Sequence, residues 1–180
     1  DRIGLNTITR YTYDAKDNLT EVIDPNGLST QYRYDYLNNL IEQRSPDTGT
    51  TTTTYDPAGN PLTQTDARGI TSSYRYDALN RITQVRYPDL SLTNNFQYDT
   101  ASTDCPTQER YSQGELSQMQ DPTGTTSWCY DRKGNVTQKN QSLNPPPDVD
   151  AGAGILRLAT RYAYTTADQL REITYPSGFT

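Results

Sequence analysis

The stretch that decides the fold runs from Tyr11 to Gly27, YTYDAKDNLTEVIDPNG, and its pattern begins again at Tyr32 as YRYDYLNNLIEQRSPDTG, ending at Gly49. Each copy sets an aromatic-x-aromatic pair before an Asp, then a turn, a short apolar run and a second turn. The second aromatic falls at Tyr13, Tyr34, Tyr55 and Tyr76, 21 residues apart each time, and Tyr98, Tyr130 and Tyr164 continue the series at longer spacings. Two residues earlier stand Tyr11, Tyr32, Thr53, Tyr74, Phe96, Trp128 and Tyr162. One residue later stand Asp14, Asp35, Asp56, Asp77, Asp99 and Asp131, with Thr165 as the exception. Seven register-matched copies mark a repeat architecture, in which each unit buries its surface against its neighbours.

The period divides into two strands and two turns. Successive side chains of a strand alternate, so aromatic-x-aromatic puts both rings on one face. Asp then opens a turn such as DAKDN, DPAGN or DRKGN, in which Asp, Asn and Gly supply backbone-bonding side chains or positive φ. A second strand follows, LTEVI, LTQT, ITQV, VTQK or LREIT, and ends in DPNG, DARG, DPTG or YPSG. One hairpin alone is marginal in water, so stacking hairpins side by side is what packs the tyrosine rows. The spacing predicts an all-β fold of consecutive antiparallel β-hairpins side by side in a ribbon, with the repeated tyrosines in register from copy to copy.

Leu, Ile, Val and Phe make up only about 16% of the chain, a level associated with disorder. Against that stand 15 Tyr, abundant Thr and a net charge of only -6, which favour an ordered, polar β protein. The mild acidity and the lack of a Lys/Arg cluster exclude a nucleic-acid surface, and no apolar run reaches membrane-spanning length. With no histidine, Ser-His-Asp and Cys-His nucleophile systems and His-ligated metals are excluded. No catalytic, cofactor or metal residue is assigned, and a non-enzymatic role is expected.

Two repeats are stretched. Insertions are expected near 100–115, as a hairpin arm or surface loop, and near 141–158, which opens with Pro145, Pro146 and Pro147. Cys105 lies in the first insertion, while Cys129 faces away from the Trp128 and Tyr130 rings between which it stands. A bridge between them is geometrically open, but free thiols are the expectation if assembly occurs in a reducing cytosol. The repeated Asp residues are expected to cap turns rather than to form a calcium ladder, because cation sites need converging oxygens in a recognisable loop. GAGILR, with Gly152 and Gly154, lacks the third glycine of a dinucleotide loop and reads as loop.

The series YTYDAKDNLTEVIDPNG, YRYDALNRITQV and SWCYDRKGNVTQK resembles the RHS, or YD, repeat family, which includes bacterial Rhs polymorphic toxins, the Tc toxin C component and the teneurin YD shell. The resemblance covers residues 1–180 and implies one segment of a larger protein, in which hairpins form a curved ribbon that spirals into a hollow shell around a C-terminal toxic segment. It implies a structural shell segment that encapsulates an effector before delivery by a bacterial secretion system, after synthesis in the cytoplasm. Partners are then the neighbouring repeats and the enclosed toxin. The family also makes DPNGL, Asp24 to Leu28, resemble its self-cleavage element, but these residues occupy the repeat position of DARG and DPTG and read as an ordinary turn. An extracellular carbohydrate-binding or adhesion module is the alternative, with a glycan stacked on exposed tyrosines. Fourteen strands at about 4.8 Å make a ribbon only about 67 Å wide, too narrow to enclose a protein alone, so one section of wall is expected.

Overall fold

A computed structural model describes residues 7–145 and 155–176. Among them are fourteen strands. They are β1 (Arg10–Tyr13), β2 (Leu19–Ile23), β3 (Ser29–Tyr34), β4 (Leu40–Ser45), β5 (Gly49–Tyr55), β6 (Pro61–Thr65) and β7 (Thr71–Tyr76). There follow β8 (Ile82–Arg86), β9 (Asn94–Tyr98), β10 (Leu116–Asp121), β11 (Gly124–Tyr130), β12 (Val136–Leu143), β13 (Leu156–Tyr164) and β14 (Leu170–Thr174). Single 3-10 turns stand at Leu90–Leu92 and Thr107–Glu109. The fold class is all-β, built of consecutive antiparallel hairpins, as the period requires.

The chain divides into two compact units: residues 1–81 with 86–88, and residues 82–85 with 89–180. In the first, β1 to β7 pair antiparallel in chain order. In the second, β8 to β14 do the same.

Register shows why the tyrosines share a face. Tyr11 pairs with Val22, which pairs with Thr30, two residues before Tyr32. Tyr32 leads through Gln43 to Thr51, and Thr53 through Gln64 to Ser72, each again two residues short of the next motif position. In the second unit Phe96 leads through Met119 to Thr126, and Trp128 through Lys139 to Thr160, with the same step. The aromatic rows therefore lie on one face of each unit's sheet but are stepped by two residues per repeat. This corrects the expectation of strict register.

A β-bulge accompanies every documented motif pair. Thr12 faces Glu21 but Tyr13 faces Leu19, leaving Thr20 as the extra residue. Ile41, Leu62, Ser117, Thr137 and Arg171 are skipped in the same way opposite Tyr34, Tyr55, Tyr98, Tyr130 and Tyr164. Bulges bend the strand that carries them and increase its twist.

The opposite face of the first unit is polar. There Thr54 and Thr63 hydroxyls lie 2.6 Å apart, Thr65 and Thr71 hydroxyls 2.8 Å apart, and Arg33 and Arg44 flank Glu42 at 3.2 and 3.5 Å. In a single layer of sheet neither face is sealed. Most motif aromatics, among them Tyr32, Tyr34, Tyr55, Tyr74, Tyr76, Phe96, Tyr98, Trp128, Tyr162 and Tyr164, are half-buried; Tyr11 and Tyr13 on β1 are exposed. Tyr130 is the one motif residue with almost no exposure, at 6%.

Residues 141–143 and 156–158, expected within the second insertion, are paired strand: Gln141 faces Leu158 and Leu143 faces Leu156. The polar, β-compatible QSL and LRL segments prolong the ladder. Pro146, Pro147, Gly152 and Gly154 lie outside the described residues.

Candidate functional site

The repeated corner after each Tyr-Asp pair is the chemically distinctive element. In the DPAGN corner, Asp56 Oδ1 accepts from the Ala58 and Asn60 N–H groups at 2.9 Å each, and Oδ2 accepts from Asn60 Nδ2 at 3.0 Å. The Asp56 N–H donates to Asn60 O at 2.9 Å and Gly59 N–H to Asp56 O at 3.0 Å. Asp14 with Asn18, Asp35 with Asn39, and Asp131 with Asn135 repeat the arrangement. In the Asp77 corner Arg81 takes the place of Asn, donating Nε to Asp77 Oδ2 at 2.8 Å. The fourth residue of each corner has positive φ, as at Asp17, Asn38, Gly59, Asn80 and Gly134. This is a type I turn closed by a left-handed residue, the usual three-residue hairpin connection.

The second turn of the repeat uses the same corner. Asp24 Oδ1 accepts from Asn26 and Leu28 N–H at 2.8 Å, and Asp66 Oδ1 accepts from Arg68 and Ile70 N–H at 2.9 Å. DPNGL is thus a turn of the ordinary kind. Thr165, the sequence exception, accepts the Gln169 N–H at 3.2 Å and keeps the geometry. These carboxylates are occupied by donors. The side-chain amide of Asn18, Asn39 or Asn60 holds Asp14, Asp35 or Asp56 below the ordinary carboxylate range, and the Arg81 N–H groups do so for Asp77. Among the described residues no cluster of His, Cys, Asp or Glu is arranged to hold a metal ion.

Corners of successive repeats join. Asn18 Nδ2 donates to Asn38 Oδ1 at 3.1 Å, Asn60 Nδ2 to Asn80 Oδ1 at 2.8 Å, and Asn135 Nδ2 to Asp168 Oδ1 at 3.3 Å. Lys16 Nζ reaches Tyr36 O at 3.0 Å, and Lys133 Nζ reaches Asp168 Oδ1 at 2.8 Å. The tyrosines form a second tie. Tyr55 OH donates to Leu40 O, Tyr130 OH to Leu116 O and Tyr164 OH to Val136 O, at 2.8–2.9 Å. Each hydroxyl thereby reaches the carbonyl beside the bulge of the preceding repeat. Burial raises the phenol pKa of Tyr34, Tyr76, Tyr130 and Tyr164 above its ordinary value. The Asn residues at the fifth corner position were legible as Asp-x-x-x-Asn, yet only the geometry gives them a role.

The first insertion opens inside the Asp99 corner. Asp99 Oδ1 accepts the Gly114 N–H at 2.6 Å and Asp99 N–H donates to Glu115 O at 3.2 Å, so residues 100–113 leave and re-enter the sheet at one corner. The loop then folds back as a strap. Thr137 Oγ1 donates to Glu109 Oε2 at 2.8 Å, Tyr111 N–H to Tyr130 O at 3.3 Å, and Arg132 Nε to Tyr111 OH at 2.7 Å. The expectation of free thiols is overturned: Cys105 and Cys129 form a disulfide, with Cα atoms 5.4 Å apart. The strap carries Cys105 back across the sheet, a proximity that a separation of 24 residues does not reveal.

The RHS Repeat family profile matches residues 5–27, 13–51 and 55–91. No curated protein sequence matches the chain. Solved structures do: the crystal structure of TcdB2–TccC3 at TM-score 0.74 and 20% identity, over 94% of this chain and 10% of that one. The crystal structure of TcdB2–TccC3–Cdc42 superposes at TM-score 0.71 and 19% identity, over 94% of this chain and 9% of that one. A Photorhabdus luminescens Tc holotoxin pore gives TM-score 0.71 at 19% identity, over 96% of this chain and 9% of that one. The chain therefore spans about a tenth of the length of the structures it matches. Repeat motif, hairpin corner and fold agree: residues 5–51 and 55–91 match the RHS Repeat family, and the fold is that of the Tc toxin structures over 94% of the chain.

Proposed function

We propose that this chain is a wall section of an RHS-repeat shell that isolates a toxic segment of its own polypeptide until delivery. The carrying observation is the pair of inter-repeat ties, Asn to Asn at the corners and Tyr hydroxyl to backbone carbonyl at the bulges. Both spend polar groups on joining one hairpin to the next, which is what a wall demands. A sugar-stacking platform would want free tyrosine faces and hydroxyls, whereas Tyr55, Tyr130 and Tyr164 have committed theirs. Action is steric and needs no reactive residue. The likeness to Tc toxin structures supports a protein exported or delivered from a bacterial cell, and synthesis in that cell's cytoplasm is part of the proposal.

The test is limited proteolysis of the longer polypeptide with and without these repeats, followed by assay of the C-terminal segment. The expected result is that deletion exposes that segment to protease without changing its activity once released. Continued protection in the deletion variant would overturn the wall reading, and stoichiometric binding of a defined glycan with tyrosine quenching would favour the adhesion module instead.

A further inference from the structure

We propose that the strap of residues 100–113 is an oxidation-dependent cover: the Cys105–Cys129 bond holds it over the polar face of β11 and β12, and reduction lifts it. The inference does not rest on the shell reading. Cys129 shares its face with Ser127 and, across the ladder, with Gln138 and Asn140, its register and diagonal neighbours. Ser127 is 3% exposed and Gln138 7%, while the two cysteines are at 1–2%. What lies around the bond is thus hydroxyl and amide, not hydrocarbon. Burial of such groups supplies little hydrophobic driving force, since water satisfies them equally well.

The non-covalent ties are correspondingly few. Among the described residues, Thr100 N–H donates to Tyr98 O at the strap's root, and hydrogen bonds from Thr137 to Glu109, Tyr111 to Tyr130 and Arg132 to Tyr111 tie its middle to the sheet, the last with the Arg132 guanidinium 5.4 Å from the Tyr111 ring centre. Arg110 spends its own donors within the strap, on Cys105 O at 2.9 Å and Thr103 O at 3.2 Å. Closure of the cover is therefore carried by the covalent bond. Its reduction takes two equivalents of a small thiol, which supply two electrons and two protons. The Sγ–Sγ bond breaks, two S–H bonds form, and the reductant leaves as its own disulfide. Because the sulfurs are buried, the thiol reaches them only through local fraying around the intact bond, so reduction of the folded protein is slow and the strap lifts after it. The bond closes by exchange with a small-molecule disulfide, which takes up the two electrons and two protons and leaves as two thiols.

The experiment is hydrogen–deuterium exchange on the 180-residue chain, oxidised against reduced and alkylated, with Cys105→Ser as a second route to the open state. Amides of residues 100–113 should exchange at least about tenfold faster when the bond is absent, while β3 to β6 stay unchanged as an internal control. Iodoacetamide should label neither cysteine in the folded, oxidised protein. Equal strap exchange in the two states, labelling without reductant, or loss of protection spreading through β11 to β13 would each overturn the proposal. The last result would mean that the bond holds the fold rather than the cover.

Discussion

The two units reach order by different means. In the first, repeats keep their 21-residue spacing, and no described residue is fully buried. In the second, where insertions stretch the period, all the buried residues of the described chain fall between Cys105 and Gln138. A regular ribbon one sheet thick has no interior, so its stability is a sum of nearest-neighbour ties between half-buried rings and satisfied corners. Once a strap is laid over that ribbon, a local second layer forms and burial in the usual sense begins.

The comparison can be broken most directly with tyrosine truncations. Tyr130→Ala removes a ring that is 6% exposed and a hydroxyl bonded to Leu116 O, and should cost about 3–5 kcal/mol. Tyr55→Ala makes the equivalent change in the open ribbon, with a half-buried ring bonded to Leu40 O, and should cost about 2 kcal/mol. Tyr111→Ala, in the strap and 38% exposed, should cost under about 1 kcal/mol. Chemical denaturation of the three variants measures the order. Equal losses at Tyr55 and Tyr130 would mean that the deeper burial of Tyr130 adds nothing to the hold of its ring.

What the sequence made legible follows the same division. Alternation and turn chemistry are local, and they revealed the strands, the corners and the shared face of Tyr11, Tyr13, Tyr32 and Tyr34. Strict register failed because the ladders step the rows by two residues per repeat, one of the two being a bulge residue such as Thr20 or Ile41, and nothing in LTEVI or LIEQR announces which residue is skipped. Asp24 and Asp66 looked like a separate turn class, yet Asp followed three residues later by Gly gives the same corner as Asp14 or Asp56. The strap and its disulfide were hidden because Cys105 meets Cys129 through a tertiary return, which no periodicity records.

Titration separates the units more gently. Asp14, Asp35, Asp56, Asp66 and Asp77 in the first unit all sit below the ordinary value of 3.8, as do Asp89 and Asp131 in the second. A depressed folded value means that the stabilisation is present above pH 3.8 and is lost as pH falls through the lower folded values. Acid should therefore loosen the first unit's corners more than the second's. Tyr34, Tyr76, Tyr130 and Tyr164 run the other way. Their raised values give stabilisation below pH 10.0 that is lost as pH rises through the folded values. Site-resolved exchange between pH 5 and pH 3 checks the acid limb, and an even loss across both units would show that corner carboxylates are not what separates them.

The smallest effect tests whether the corner ties really add up along the ribbon. Asn18 reaches Asn38 and Asn60 reaches Asn80, but Asn39 finds Gly59 at the matching position, so the chain of amides is interrupted there. Gly59 has φ +85, and a Cβ added to it would meet Asn39 Oδ1 at 3.6 Å, an ordinary contact. Asn tolerates the left-handed region, as Asn38 and Asn80 do at φ 67 and 61 in the equivalent corners. Gly59→Asn should then complete the run from Asn39 and also reduce the freedom of the unfolded chain. Together these should stabilise the protein by up to about 1 kcal/mol. Gly59→Ala provides the control, since it restricts the unfolded chain but offers no amide and pays the left-handed cost in full. A higher melting temperature for Asn than for wild type, with Ala below wild type, would establish the corner tie as an additive element of the ribbon. If Asn and Ala behave alike, the amide contacts follow from the fold without strengthening it, and the rings alone hold one repeat to the next.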